Sequence, residues 1–219
     1  MAEQGAAALS LRAIARQMGL SAPALYRYFA DRDALVSALI VEAFNALADS
    51  LAAAGEAQAS AGMGARLWAI GLAYREWARA HPQDYLLIFG TPIPGYHAPA
   101  AITGPAAKRS FDVLAEVLRP AKGRQHAPLR RAYQRAPGSL RAQVEAWRTR
   151  YGYDLGGAEL LFALETWARL HGLVSLELVG QIEPFFGDVD QLYRLEMSKV
   201  LAEAGLRPQA ARQTKDSEK

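Results

Sequence analysis

Side chains able to carry acid–base or nucleophilic chemistry are few in this sequence, and they are poorly placed for it. The 219 residues include four histidines and no cysteine, which removes thiolate nucleophiles, disulfides and zinc sites of the cysteine type. Glu165, Glu177 and the lone His171 could move protons, yet no two of them have a convincing arrangement for general acid–base work. No glycine-rich phosphate loop, histidine-rich cluster or fixed-period repeat is present, so neither a cofactor nor a metal is expected. What the residue types can do is recognise. Leu25 and Phe29, four apart, would share the buried face of a short helix, and steps of 100° then put Pro23, Ala24 and Arg27 outside with Tyr26 and Tyr28 at the two edges. Small residues at Ala22 and Ala24 would let such a helix sink into a major groove, where the planar fork of Arg27 matches guanine O6 and N7. The hydroxyls of Tyr26, Tyr28 and Ser10, together with Arg32, are placed to meet phosphate oxygens at the groove edges.

The elements that must position these side chains follow from apolar spacing. Leu11, Ile14, Ala15 and Met18 recur at i, i+3, i+4, i+7, the signature of one buried helical face, with Ser10 as N-cap and Gly19 as stop. Ser21 caps the second short helix, with Pro23 in its first turn where the missing N–H is harmless. Asp31 caps a third, whose expected stripe is Leu35, Leu39, Ala43, Leu47 and Leu51. Helix, tight turn, short helix, longer helix is the layout of a helix-turn-helix DNA reader. The glycine- and alanine-rich stretch 55–64 then marks the boundary between a small head, residues 1–54, and a larger body, residues 65–206, followed by a polar tail, 207–219, expected to be disordered.

The composition points to an all-α chain. Alanine and leucine account for 44 and 28 residues, whereas Val, Ile and Thr together number 21, a balance that favours helices over strands. In the body the apolar register of Leu67, Ile70, Gly71, Tyr74, Trp77 and Ala78 runs to His81-Pro82, because the residue before a proline is pushed out of the α region. Shorter helices are expected over 83–89, 106–118 and 140–150, and longer ones over 156–179 and 189–204; the stretch 120–137, broken by three prolines, resists assignment. The longest uncharged run, Tyr85 to Ala107, holds Pro92, Pro94, Pro99 and Pro105 and reads as a loop region, not a membrane span. The first residues lack the basic and apolar parts of a secretory signal, so a soluble, cytoplasmic protein with no membrane partner is expected.

The stretch SLRAIARQMGLSAPALYRYFADRDALVSALI closely resembles the signature of the tetracycline-repressor-like (TetR/AcrR) family of bacterial regulators. The resemblance rests on Ile14-Ala15, Gly19-Leu20-Ser21, Leu25-Tyr26 and Tyr28-Phe29, with Arg32 where the family usually has lysine. In the body, HPQDYLLIF, TPIPG, Trp167, His171-Gly172 and Leu176-Glu177 resemble the subgroup named for a Trp…His-Gly motif. The resemblance implies an all-helical homodimer, with amino-terminal heads reading palindromic operator DNA and a helical body that binds an effector and dimerises. It also implies a DNA-binding set of Ser10, Arg12, Ser21, Ala22, Ala24, Tyr26, Arg27, Tyr28 and Arg32. One departure concerns the head, where only nine residues precede Ser10 and residues 1–54 carry four arginines against five acids, although a DNA reader is usually basic. The expectation is that a first helix with a basic lead-in belongs upstream of Met1.

Two further surfaces are expected in the body. Trp68, Tyr74, Trp77, Phe89, Phe111, Phe162, Trp167 and His171 are taken as lining an apolar or aromatic effector cavity, although a lone histidine in an apolar stripe is more often a hydrogen-bonded core residue. Leu160, Leu164, Trp167, His171, Val174 and Leu178 keep the spacing of a bundle seam. The small residues Ala168, Gly172 and Ser175 beside them would admit another helix. That helix is either an intrachain neighbour or, as the resemblance implies, the second subunit; Tyr193, Met197 and Val200 of the last helix join Leu160, Leu164, Ala168, Gly172 and Ser175 in the expected interface. Residues 119–150 hold nine Arg or Lys against the single acid Glu145, which suits an acidic effector or a second nucleic-acid surface, or else a solvated loop. The reading is a ligand-responsive transcriptional regulator, a repressor released from its operator by a small molecule. The alternative is an all-helical ligand carrier or enzyme with a vestigial head.

Overall fold

The computed structural model describes residues 27–119 and 126–207. Among them are eight α-helices: α1 Arg32–Glu56, α2 Met63–Ala80, α3 Pro82–Phe89, α4 Ala100–Val117, α5 Ala127–Arg135, α6 Gly138–Tyr151, α7 Gly157–Leu178 and α8 Val189–Glu203. A 3-10 turn, Ala59–Ala61, lies between α1 and α2, and no strand occurs among the described residues. The fold is therefore all-α. The expected first helix of the head, the second as far as Tyr26, and the tail from 208 lie outside the described residues; Arg27 and Tyr28, expected on the second helix, stand in a turn.

Helix ends follow local chemistry. Asp31 caps α1, accepting from the Ala34 N–H at 2.8 Å, and Asp188 caps α8, accepting from the Gln191 N–H at 3.1 Å; each side chain satisfies one of the first-turn donors that a helix leaves orphaned. Pro82 opens α3. Gly152 closes α6 at φ 66°, a left-handed conformation that glycine adopts without a Cβ penalty. One expectation fails here, and one open stretch is resolved. Helix α4 starts six residues earlier than the 106 expected, with Pro105 inside it, and the unassigned stretch up to 137 contains α5. Proline at 105 costs one backbone bond near the helix start but does not end the helix.

The described chain divides into two packed units, and the division does not follow the boundary expected at 55–64. The first unit joins the chain up to Ala48 with His81–Ser110, and the second joins Asp49–Ala80 with Phe111 onward. The first is built on Val36, Ile40 and Phe44 of α1 and Ala106 of α4, with Leu87, Ile88, Phe89, Ile93 and Tyr96 packed against them. Phe89 meets Phe44 and Tyr85 edge-on, at centroid distances of 5.6 and 5.1 Å. The Ser37 hydroxyl donates to the Asp33 carbonyl at 2.7 Å, so the Tyr96 hydroxyl, 2.9 Å away, donates to Ser37. The loop after α3 is thereby held on α1. Of the expected α1 stripe, Leu35, Ala43, Leu47 and Leu51 are buried, but Leu39 is 42% exposed, and Val36, Ile40, Phe44 and Ala48 take its place. Residues four apart drift by 40° per step, so a strict i+4 row cannot stay on one face.

In the second unit α7 is the hub, with α2, α5, α6 and α8 packed around it. Leu67, Tyr74 and Trp77 of α2, Leu160, Phe162, Leu170 and Val174 of α7, and Tyr193, Met197, Val200 and Leu201 of α8 form its core. Each large side chain buried in this way contributes about 1.5–3 kcal/mol. At Gly71 the end of the Met197 thioether packs over bare backbone, in the space a Cβ would take. The Tyr193 hydroxyl donates to the Gly71 carbonyl at 2.6 Å.

Candidate functional sites

In the head, Arg27 and Tyr28 sit in the turn that leads into α1, and Arg32 is the first residue of that helix. Arg27 is exposed and Tyr28 is 76% exposed, so the phenol is open to solvent and not part of a core. The Asp31 cap fixes the direction in which α1 leaves this turn. Ser10, Arg12, Ser21, Ala22, Ala24 and Tyr26 lie outside the described residues.

The eight residues expected to line one effector cavity do not come together. Phe89 belongs to the first unit. Phe111 packs with Trp147 and Tyr153 at 5.5 and 6.4 Å, in a separate aromatic cluster of the second. Tyr74 and Trp77 are buried, and Trp68 is partly buried on the same helix. Trp167 stacks on His171 at 5.1 Å and an interplanar angle of 26°. The Tyr74 hydroxyl lies 3.0 Å from His171 Nδ1, with Ser175 Oγ at 3.5 Å from Nε2. Burial lowers the histidine pKa below its usual value, which favours the neutral ring. His171 is thus a hydrogen-bonded packing residue that ties α7 to α2.

A groove of about 310 Å³ opens elsewhere, walled by Leu129, Ala132, Tyr133 and Ala136 of α5, Leu140 of α6, Ala158, Leu161, Phe162 and Glu165 of α7, and Glu203 of α8. Of the expected cavity residues only Phe162 belongs to it. The groove exists because α5, the helix that sequence patterning could not assign, stands against α7. At Gly157 a Cβ would meet the Tyr133 hydroxyl and the Glu145 carboxylate. Tyr133 donates to Glu145 at 3.1 Å, and burial, followed by this bond, raises its pKa above the usual phenol value. Glu203, also in the groove wall, takes both terminal nitrogens of Arg169 at 2.8 Å. The walls are mainly apolar with a few carboxylates, a surface suited to a small amphipathic molecule.

Sequence reading gave Arg75 no role, and it is buried. It donates to both carboxylate oxygens of Glu177 at 2.7 Å and to Asp190 at 2.7 Å, with its guanidinium over the Tyr193 ring at 5.4 Å. Hydrogen bonding to Glu177 holds its pKa above an already high value despite burial. Asp190, also held by Arg194 at 2.6 Å, is pushed below the usual carboxylate range, chiefly by the Arg194 bond. Glu177 is therefore committed to a structural ion pair. An arginine in the middle of an apolar register was the available signal, since such a charge must have a partner.

The expected interface residues separate into two groups. Leu164 is 38% exposed, Ala168 is exposed, and Gly172 faces open space, with Leu176 and Val179 continuing the stripe at 42% and 55%. Ser175 is half-buried. Leu160, Tyr193, Met197 and Val200 each have 0% exposure. These four are core residues of the protomer and are not available to a partner; the outward apolar residue of α8 is Leu195, 54% exposed.

Comparisons with known proteins match both ends of the chain. Residues 1–39 match the family of bacterial regulatory proteins described as tetR, and residues 67–200 match the tetracyclin repressor-like C-terminal domain. The HTH-type transcriptional regulators Rv1816 of Mycobacterium tuberculosis (strain ATCC 25618 / H37Rv) and Mb1846 of Mycobacterium bovis are each 34% identical over 179 residues, covering 82% of this chain and 76% of theirs. Among solved structures, SCO4313, described as a regulatory protein, superposes with a TM-score of 0.73 at 39% identity, over 92% of this chain and 89% of its own. A protein of unknown function from Rhodococcus sp. RHA1 gives 0.62 at 26% identity, over 94% and 88%. With a helix-turn-helix sequence ahead of α1 and a matching helical body behind it, the chain belongs to the tetracycline-repressor-like family and is a DNA-binding transcriptional regulator.

Proposed function

We propose that this regulator is a ligand-responsive repressor, released from a palindromic operator when a small amphipathic molecule enters the groove between α5 and α7. The observation that carries the reading is the groove itself, about 310 Å³ with apolar walls and Glu165 and Glu203 at its edge. Helices α1 and α4 each contribute residues to both units, so a displacement begun in the body has a continuous helix along which to reach the turn holding Arg27 and Tyr28. The DNA contacts are Ser10, Arg12, Ser21, Ala22, Ala24, Tyr26, Arg27, Tyr28 and Arg32, with Arg27 reading a base and the hydroxyls meeting phosphate. Two copies pair through the outward stripe of Leu164, Ala168, Gly172, Ser175, Leu176 and Val179, joined by Leu195. The protein works in the cytoplasm, needs no cofactor and catalyses no reaction; Glu177 is held by Arg75, and His171 is bonded to a tyrosine.

Gel-shift titration of the DNA flanking its own gene tests this reading without knowledge of the ligand. Ala132→Trp fills the groove and mimics occupancy, so operator affinity should fall at least tenfold while the helical circular dichroism is kept. Unchanged operator binding by a folded Ala132→Trp protein would show that the groove does not control the head.

A further inference from the structure

We propose that the outer face of α5, continued by Arg141 of α6, is a second DNA-contacting surface that takes the phosphate backbone of duplex DNA without regard to sequence. At 100° per residue Arg130, Gln134, Arg131 and Arg135 fall within one arc of about 140°, and all four are exposed. The opposite arc, with Leu129, Tyr133 and Ala136, is turned to the groove, so the helix keeps its charge outside and its apolar residues inside. The Tyr133 hydroxyl lies 3.3 Å from the Arg141 carbonyl, which sets the start of α6 against α5, and the Arg141 side chain there is exposed. No acidic residue occurs in α5, and Glu145, the one acid of α6, already holds Arg148 at 2.7 Å and Tyr133 at 3.1 Å.

Such a surface works against the isolated protein. Arg131 and Arg135 are like charges at i, i+4, which disfavours the helix, and arginine cannot shed its proton to relieve them. An anionic partner removes the conflict, and the planar guanidinium fork matches phosphate oxygens two at a time. Duplex DNA is the occupant that the composition favours. A helix lying on a membrane surface needs large apolar side chains beside its basic face, whereas those of α5 are committed to the groove. The inference rests on family membership, which puts DNA within reach, and not on the effector reading. Its consequence is a protein that holds flanking or second-segment DNA through its body while the head reads the operator.

The test uses the 219-residue chain and a short duplex of non-operator sequence, with binding followed by fluorescence anisotropy across a salt series. Combining Arg131→Gln, Arg135→Gln and Arg141→Gln should lower the slope of log K against log salt by about 2 to 3, because each lost phosphate contact is worth roughly 0.9. The corresponding lysine variant should keep the slope, and circular dichroism should be unchanged. Since the head contributes equally in every variant, equal slopes and affinities for wild type and the glutamine variant overturn the proposal. So does loss of binding to phosphatidylglycerol vesicles with duplex binding intact, which would make the face a membrane contact. As a second measurement independent of charge removal, Gln134→Cys provides the only thiol in the chain; carrying a photo-crosslinker it should trap the duplex, while Glu183→Cys should not. No crosslink from position 134 also overturns it.

Discussion

Arginine is used in opposite ways at two places in the body. Arg75 has only 8% of its side chain exposed and is held by Glu177 and Asp190, whereas Arg131, Arg135 and Arg141 stand in solvent on and beside a helix with no acid of its own. The first arrangement fixes how α2, α7 and α8 meet, because a buried guanidinium tolerates few geometries. The second fixes nothing within the chain and is open to a partner. Charge type alone thus distinguishes neither role. What does is whether the carboxylates sit within bonding distance and away from water.

That contrast can be broken most forcefully at Arg75. Arg75→Met leaves the Glu177 carboxylate, 12% exposed, with only the solvent-exposed Arg79 at 3.7 Å, and should destabilise the protein by about 3 kcal/mol, the low end for a broken buried pair. Urea unfolding would measure the loss, and Glu177→Leu added to Arg75→Met should recover most of it. Recovery would show that the pair specifies packing more than it stabilises. Next in size comes the neighbouring Tyr74–His171 contact, where Tyr74→Phe should cost about 1 kcal/mol in the same assay. Because the folded-state pKa of His171 is depressed, the unfolded chain takes up its proton first as the pH falls. The contribution of His171 is complete above the unfolded value near 6.5 and is lost as pH drops through the lower folded value. Melting temperature should therefore decline from pH 7 to pH 5, less so in His171→Gln.

An intermediate case sharpens the comparison. Arg169, with a third of its side chain exposed, pairs with Glu203 at 2.8 Å; Arg169→Gln should cost at most about 1 kcal/mol, with much of the effect removed by high salt. At the weak end, Arg131→Gln should raise stability by about 0.2–0.5 kcal/mol through relief of the like-charge pair with Arg135. Thermal melts at low salt would detect it. A loss of stability there would mean that Arg131 serves the fold and would remove the contrast.

Periodicity made much of this fold legible. The register Leu67, Ile70, Gly71, Tyr74, Trp77, Ala78 predicted a helix ending before Pro82, and α2 ends at Ala80; the longest expected body helix appears as α7 within a residue at each end. The Asp31 cap was also readable, because a side-chain acceptor before an apolar run has one obvious use. Other features depend on neighbours that no pattern names. Tyr193, Met197 and Val200 share a face, as their spacing says, but spacing does not say that α2 of the same chain covers it. The aromatic residues expected to line a pocket are mostly core, since large rings fill space where helices meet. The groove arises from α5, whose nine residues are too short and too arginine-rich for an apolar period to show.

The bond between Tyr193 and the Gly71 carbonyl joins positions 122 residues apart, and Arg75–Asp190 and Tyr74–His171 span 115 and 97. These separations set an order of events during synthesis. Helix α2 leaves the ribosome early, yet the tyrosine, carboxylates and histidine that complete it come from the last third of the chain. Until then its buried face, Leu67, Ile70, Tyr74 and Trp77, has no native cover from α7 or α8, and closing so long a loop is slow. The body must therefore depend on its final helix for completion. A nascent chain stalled before residue 190 would present an apolar surface that chaperones bind and proteases cut.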